Sequence, residues 1–160
     1  MSTAGPGDDD LEPVELLREV LEEVVDGLGL QGSVTVAETD GVLTGSVDGE
    51  GLGLLIGRRG QTIDAVQHLA QRIVFRGGPG DGRVVVDADG YRARRRETLE
   101  GEAEDAAEEA VRTGRAVELD PMPASERRIV HEHLRDRDDI ETYSEGEEPD
   151  RYLVVAPAGG

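Results

Sequence analysis

From Pro13 onward the apolar residues Val14, Leu17, Val20, Leu21, Val24, Val25 and Leu28 recur three and four apart, so they line one face of a helix that Pro13 opens and Gly27 and Gly29 end. The period then drops to two. Ser33 to Glu38 alternates Val34 and Val36 with polar residues, Asp40-Gly41 is a two-residue hairpin signal, and Val42 to Val47 reads as the returning strand. After a glycine-rich passage, Ile63, Val66, Leu69, Ala70, Ile73 and Val74 mark a second amphipathic helix. Gly77 to Gly82, with four glycines and one proline, is a loop, and Arg83 to Asp87 is a third strand whose consecutive valines predict burial on both faces.

A long helical pattern follows from about Asp89 to Arg112, with Leu99, Ala103, Ala106 and Ala110 on one side, Gly101 weakening its middle and Gly114 as its stop. Ala116 to Leu119 is a short strand, Pro121 and Pro123 punctuate, and Ser125 is a suitable N-cap for a helix to about Arg135. Ile140 to Glu145 and Arg151 to Ala156 read as strands joined by a turn over Gly146 to Asp150. The expected fold is therefore α+β in two units, 13–88 and 89–156, joined by the long helix. Residues 1–12, rich in Gly, Asp and Pro, form a disordered acidic tail, and 157–160 form a short second tail.

Composition narrows the chemistry. All 17 basic residues are Arg, so a P-loop lysine and a Schiff-base lysine are excluded, and the absence of Cys excludes disulfides, thiolate zinc sites and a cysteine nucleophile. The aromatics are Phe75, Tyr91, Tyr143 and Tyr152, too few for a broad base-stacking platform. The net charge of −19 argues against a polyanionic partner until its distribution is read. Met1 to Gly57 holds one Arg against 13 acids and Glu97 to Gly160 holds 7 against 19, whereas Arg58 to Arg96 holds 9 Arg against 4 acids. A basic island sits in an acidic chain, and with a Debye length of ~8 Å at physiological salt an anion docking there feels mainly that island. No secretory signal is visible, and the longest apolar stretch, Leu52 to Ile56, is interrupted by Gly53, which makes a cytoplasmic protein the default.

Within the island lies Leu55-Ile56-Gly57-Arg58-Arg59-Gly60-Gln61-Thr62-Ile63, a Gly-x-x-Gly between an apolar run and a helix. Two residues without Cβ let main-chain N–H groups approach phosphates closely, the helix start adds its positive end, and Arg58 and Arg59 add permanent charge. Ile56, Ile63 and Val66 would form an apolar floor for unstacked bases. Taken alone, in a chain with 22 Gly, Gly-x-x-Gly reads first as a chance match or a simple tight turn. A dinucleotide loop using Gly51, Gly53 and Gly57 has the wrong spacing and follows a hairpin instead of opening a βαβ unit.

In the second unit Arg127 and His131 are four apart and share a helix face with Arg135, while Ile129, Val130, His133 and Leu134 take the opposite side, His133 as a core residue. Such a row can contact phosphate or sugar oxygens, and a histidine holds phosphate more tightly as pH falls. On spacing alone a solvated helix face is the favoured reading. A metal site from His131 and His133 fails, because positions two apart on a helix point ~200° apart. Ser125 lacks a nucleophile elbow and the acids are dispersed, so no catalytic residue, metal or cofactor is expected.

The Leu55 to Ile63 string is similar to the KH-domain signature, and the order helix, strand, strand, helix, strand resembles the type II arrangement. Ser125-Glu126-Arg127-Arg128-Ile129-Val130-His131, followed by Glu141-Thr142-Tyr143-Ser144-Glu145-Gly146-Glu147-Glu148-Pro149-Asp150-Arg151, resembles the small α/β single-stranded nucleic-acid-binding domain named for its Arg-x-x-x-His motif. In this order the two resemble the bacterial Jag (SpoIIIJ-associated) family of KH-domain RNA-binding proteins, over about Pro13 to Val155. The resemblance implies single-stranded RNA as partner, an RNA-chaperone or post-transcriptional role, pairing with a smaller KH-domain protein, and in some lineages a link to cell length and peptidoglycan homeostasis. It assigns RNA contact to Ile56, Gly57, Arg58, Arg59, Gly60 and Ile63 and to the pair Arg127 and His131. Charge clustering adds Arg92, Arg94, Arg95 and Arg96 as an electrostatic bridge. Many members carry a further N-terminal domain and long linker where this chain has about twelve acidic residues, so roles depending on that region, contact with a membrane insertase included, are not expected of it. The alternative from another class is a protein-interaction module that pairs with another KH protein and has little RNA affinity of its own.

Overall fold

The computed structural model describes residues 11–76 and 78–159, which leaves most of the expected N-terminal tail, Gly77 and Gly160 outside the described residues. The chain divides into two compact units, Met1–Arg92 and Ala93–Gly160. The division falls just inside the long helix, a few residues after the expected boundary at 88/89.

The first unit runs α1 (Pro13–Gly27), β1 (Gly32–Thr39), β2 (Val42–Gly49), α2 (Gly53–Ile56), α3 (Gln61–Val74) and β3 (Arg83–Ala88). Asp40 and Gly41 both take positive φ, 51° and 77°, as the tight turn of a hairpin requires, and Thr39 pairs with Val42 across it. β2 pairs with β3 in parallel, Val42 opposite Arg83. A parallel pair needs a long crossover, and α2, α3 and the glycine-rich loop supply it. The sheet order is β1-β2-β3, with Leu17 and Leu21 of α1, Leu43 and Val47 of β2, Ile63 and Ala70 of α3 and Val84 and Val86 of β3 in one core.

β3 departs from the expected burial on both faces: Val84 and Val86 are buried and Val85 only half-buried. It is an edge strand, and its outer edge is covered by side chains. Val84 N donates to Gln71 Oε1 at 2.6 Å, Val86 N donates to Gln67 Oε1 at 2.9 Å, and Gln71 Nε2 donates to the Gly82 carbonyl at 3.0 Å. Two glutamines one helical turn apart thus stand in for a neighbouring strand.

Gly45 of β2 lies under α1, where an added Cβ would sit 2.4 Å from Leu21 Cδ1 and 3.3 Å from Leu17 Cδ2, both on fully buried side chains. Gly45→Ala is therefore expected to destabilise the first unit by about 1–3 kcal/mol through overpacking, read as a lower urea midpoint.

In the second unit α4 (Tyr91–Thr113), whose first two residues belong to the first unit, is followed by β4 (Val117–Glu118), α5 (Ala124–Leu134), β5 (Ile140–Glu145) and β6 (Tyr152–Pro157). The strands form an antiparallel sheet in the order β4-β6-β5. Leu99 and the alanines 103, 106, 107 and 110 give α4 a small-residue face that packs with Val130, Leu134, Ile140, Leu153 and Val155. Gly101 is tolerated at an exposed position, and Gly114 ends the helix at φ +68°.

Two expectations are corrected here. Ser125 is not the N-cap: α5 starts at Ala124 and Pro123 occupies the cap, its carbonyl accepting from Glu126 N and Arg127 N at 3.0 Å each, because proline's fixed φ already sets the helix entry. His133 is not a core residue but exposed, with Nε2 2.9 Å from Glu104 Oε1. Among the described residues no helix is long and apolar enough to cross a membrane.

Candidate nucleic-acid interface

The first site grows from the link between α2 and α3. Gly57 adopts φ 73°, ψ 178°, Arg59 φ 55°, ψ 29°, and Gly60 φ 75°, ψ 13°. Three positive φ values in four residues make the chain double back and leave Arg58 and Arg59 exposed at the turn. Gly57 can be nothing larger, since a Cβ there would lie 2.2 Å from Thr62 Oγ1 and 2.8 Å from Thr62 N. α3 begins at this turn with no side-chain cap, so its first N–H groups and positive dipole end lie at the turn that carries Arg58 and Arg59.

The expected apolar floor is rearranged. Ile63 is fully buried and Val66 nearly so, because with Ala70 and Val74 they form the stripe of α3 that fills the core, and Ile63 therefore supports the loop from below. Ile56 is half-buried. The large apolar side chains that reach solvent in this unit are Leu54 (59% exposed), Leu69 (59%) and Ile73 (38%). Leu69 and Ile73, one turn apart, lie on an arc of α3 beside the core stripe.

The second site lies between α5 and β5, a cleft of about 340 Å³ lined by Ala124, Arg127, Arg128, His131, Thr142, Tyr143, Ser144 and Leu153. His131 is exposed, with Nδ1 hydrogen-bonded to Thr142 Oγ1. Arg127 is buried at 8% exposure, so it does not stand in an exposed row with His131. Its Nε donates to the Met122 carbonyl at 3.1 Å, its Nη1 donates to Ser144 Oγ at 3.1 Å, and its Nη2 is bonded and ion-paired to Glu148. The reason lies in the helical angle: Arg127 falls between Val130, which faces the core, and His131, which faces solvent. Arg128 is exposed, and its Nε donates to Glu132 Oε1 at 2.9 Å, a bond that holds the Glu132 carboxyl below its usual range. The cleft is thus lined by an imidazole, three hydroxyl-bearing side chains and two guanidinium groups, a lining that suits a phosphate-bearing ligand. Among the described residues no three His, Asp or Glu side chains come together as a metal site.

Comparison with known proteins separates the same two units. A family profile described as the KhpA/KhpB KH domain matches residues 14–87, and the profile of the domain named for its Arg-x-x-x-His motif matches residues 97–157. RNA-binding protein KhpB of Bacillus subtilis is 36% identical over 149 residues, 91% of this chain and 71% of that protein. The chain belongs to the KhpB family.

KhpB proteins of Clostridium symbiosum and Lactiplantibacillus plantarum are similar too, at 39% identity over 86% of this chain and 41% over 89%. The chain spans 63% and 44% of their lengths. The Jag-family resemblance and the order of a KH domain followed by an Arg-x-x-x-His domain therefore stand.

The four arginines at the start of α4 do not form an open track. Arg92 Nη1 donates to Asp64 Oδ1 at 2.9 Å, Arg95 Nε and Nη2 donate to the two carboxylate oxygens of Glu126 at 2.8 and 2.9 Å, and Arg96 pairs with Glu100 at 3.6 Å. Arg92, Arg95 and Arg96 are thus met by carboxylates within their own units. Sequence reasoning missed Thr142, Ser144 and Glu148 as partners of the Arg127 and His131 pair. Thr142 and Ser144 carry one signal, alternation: with Ile140 they are every second residue of β5 and so share the face under α5, whereas Glu148 lies beyond the strand.

Proposed function

We propose that this chain binds single-stranded RNA without catalysing a reaction on it, using the Gly57 to Gly60 loop as its main contact and the His131 cleft as a second. The observation that carries the reading is the loop: two exposed arginines and an uncapped helix start gathered on a glycine turn, in a chain whose net charge is −19. An acidic protein has no general attraction for RNA, so affinity requires a local site of this kind. The names of the relatives support an RNA ligand, and the lack of a spanning helix among the described residues is compatible with a cytoplasmic place of action. The RNA-chaperone or post-transcriptional role, and the link to cell length and peptidoglycan homeostasis, are carried by the family resemblance alone.

In this reading the loop clamps about four backbone nucleotides, Ile56 flanks the bases, and Ile63 keeps the loop in place from beneath. In the second unit His131 meets phosphate at the mouth of the cleft and Arg127 shapes its wall. His131→Gln is expected to weaken RNA binding several-fold, with thermal stability unchanged, since His131 is exposed. Fluorescence anisotropy of a labelled RNA checks this, and equal affinity of wild type and variant would remove His131 from the interface.

A second reading rests on the exposed Leu69 and Ile73, which favour a protein contact by the first unit, with a smaller KH-domain protein as partner. Leu69→Glu/Ile73→Glu separates the two readings: it should leave RNA affinity near that of wild type and abolish co-elution with such a partner.

A further inference from the structure

We propose that Tyr91 is the positioning residue of the Gly57 to Gly60 loop, its ring being the floor on which Gly60 rests. The inference depends on the reading that this loop meets RNA, and it names the residue that gives the loop its shape.

Gly60 is buried and left-handed at φ 75°. A Cβ on it would lie 2.8 Å from Tyr91 Cε1, 2.9 Å from its hydroxyl oxygen and 3.2 Å from Cζ, so one edge of the ring is in contact with the glycine backbone. Tyr91 is half-buried and packs against the core of the first unit. The loop carries a cost that something must hold in place. Arg59, a residue with a Cβ, sits in the left-handed region, and within the turn Gly60 N reaches the Gly57 carbonyl across a long 3.3 Å.

The floor is itself anchored. Next to Tyr91, Arg92 N donates to Asp87 Oδ1 at 3.2 Å, Arg92 Nε donates to the Val86 carbonyl at 2.7 Å, and its Nη1 and Nη2 donate to Asp64 Oδ1 at 2.9 Å and Gln67 Oε1 at 3.0 Å. Asp64 and Gln67 lie in the first two turns of α3, the helix that leaves the loop, and Val86 and Asp87 lie in β3. The start of α4 is thereby tied to α3 and β3, and it holds the ring under the glycine. An aromatic floor fixed in this way keeps the loop in one conformation before RNA arrives, which lowers the ordering cost of binding.

Four variants of the full chain test this: Tyr91→Phe, Tyr91→Ala, Gly60→Ala and the double Gly60→Ala/Tyr91→Ala. Amide hydrogen exchange over residues 57–60 is read without RNA, and affinity for a labelled single-stranded RNA is read by anisotropy. Tyr91→Phe should match wild type in both. Tyr91→Ala should speed loop exchange and weaken RNA binding about tenfold, with exchange in β2 and β3 unchanged, and the double variant should be less impaired than the two single effects summed. Should Tyr91→Ala unfold the first unit, Tyr91→Leu takes its place. Unchanged loop exchange in the folded variant, or strict additivity in the double, overturns the proposal. Faster loop exchange with unchanged RNA affinity overturns the reading of the loop as the RNA contact, and this proposal with it.

Discussion

Replacing Arg58 and Arg59 together by Asp is expected to reduce affinity for single-stranded RNA by more than about 100-fold, since two charge-assisted contacts at roughly 1.5–3 kcal/mol each are lost and replaced by repulsion. The slope of log affinity against log salt should become shallower by about 1.4, two phosphates at ~0.7 each. The fold should survive. Both side chains are exposed, and Asp is among the few residues that tolerate the left-handed conformation Arg59 adopts at φ 55°. Substitution by Ala would confound lost charge with backbone strain at position 59, which is why Asp is the more informative replacement. Circular dichroism and the urea midpoint provide the control. A folded variant that binds as wild type does would move the RNA contact away from this loop.

The second large effect is on stability. Arg127→Ala should destabilise the second unit by roughly 2–4 kcal/mol, because the Met122 carbonyl loses its charged donor and the space of a buried guanidinium is left unfilled. The lower part of that range is favoured by Glu148, whose side chain is 57% exposed and can return to water when its partner is gone. Arg127→Lys should recover little of the loss, since one ammonium cannot reproduce the planar fork that meets Met122, Ser144 and Glu148 together. Tyr143 and Tyr152 both lie in the second unit and the chain has no Trp, so with Tyr91 replaced by Phe tyrosine emission follows that unit's unfolding. An Arg127→Ala chain as stable as its parent would mean that the guanidinium is held at no net gain. Its loss of RNA binding could then be read as loss of a direct contact.

These two arginine sites show what is legible in a sequence and what is not. The stripe of α1, the Asp40-Gly41 hairpin and the Gly57 to Gly60 loop are readable because each is set by residues within a few positions of one another. Local chemistry decides them. A helical wheel puts Arg127 on an exposed face because it assigns residues to sides, and a residue midway between Val130 and His131 is assigned by what covers it. Here the cover is Ser144 and Glu148, 17 and 21 positions away. Tyr91 and Gly60 are similarly far apart, and no periodicity links a glycine in a turn to the first residue of a later helix. Leu69 and Ile73 continue the apolar pattern of α3, yet the core has room only for Ile63, Val66, Ala70 and Val74, so the pattern is wider than the contact it implies. His133 shows the same effect in reverse, a polar residue read into the core by its neighbours and found bonded to Glu104.

The basic island read from the charge blocks is also altered by the fold. Arg92, Arg95 and Arg96 contribute to the count but are met by Asp64, Glu126 and Glu100, whereas Arg58 and Arg59 stand exposed on the loop. Charge per segment overstates the available charge wherever a helix start is tied down by its own ion pairs. Arg58 and Arg59 place two of the island's exposed charges on one turn.

Local phosphate contacts are the proposed means by which this acidic chain binds single-stranded RNA. The measurement that tests this most directly is the affinity of the unmodified chain for a labelled, unstructured single-stranded RNA across a salt series, at constant pH. A straight log–log fall is expected, with a slope of about −0.7 for each phosphate held, hence at least about −1.4 from Arg58 and Arg59. Binding that does not change with salt, or no binding at the lowest salt, would contradict it.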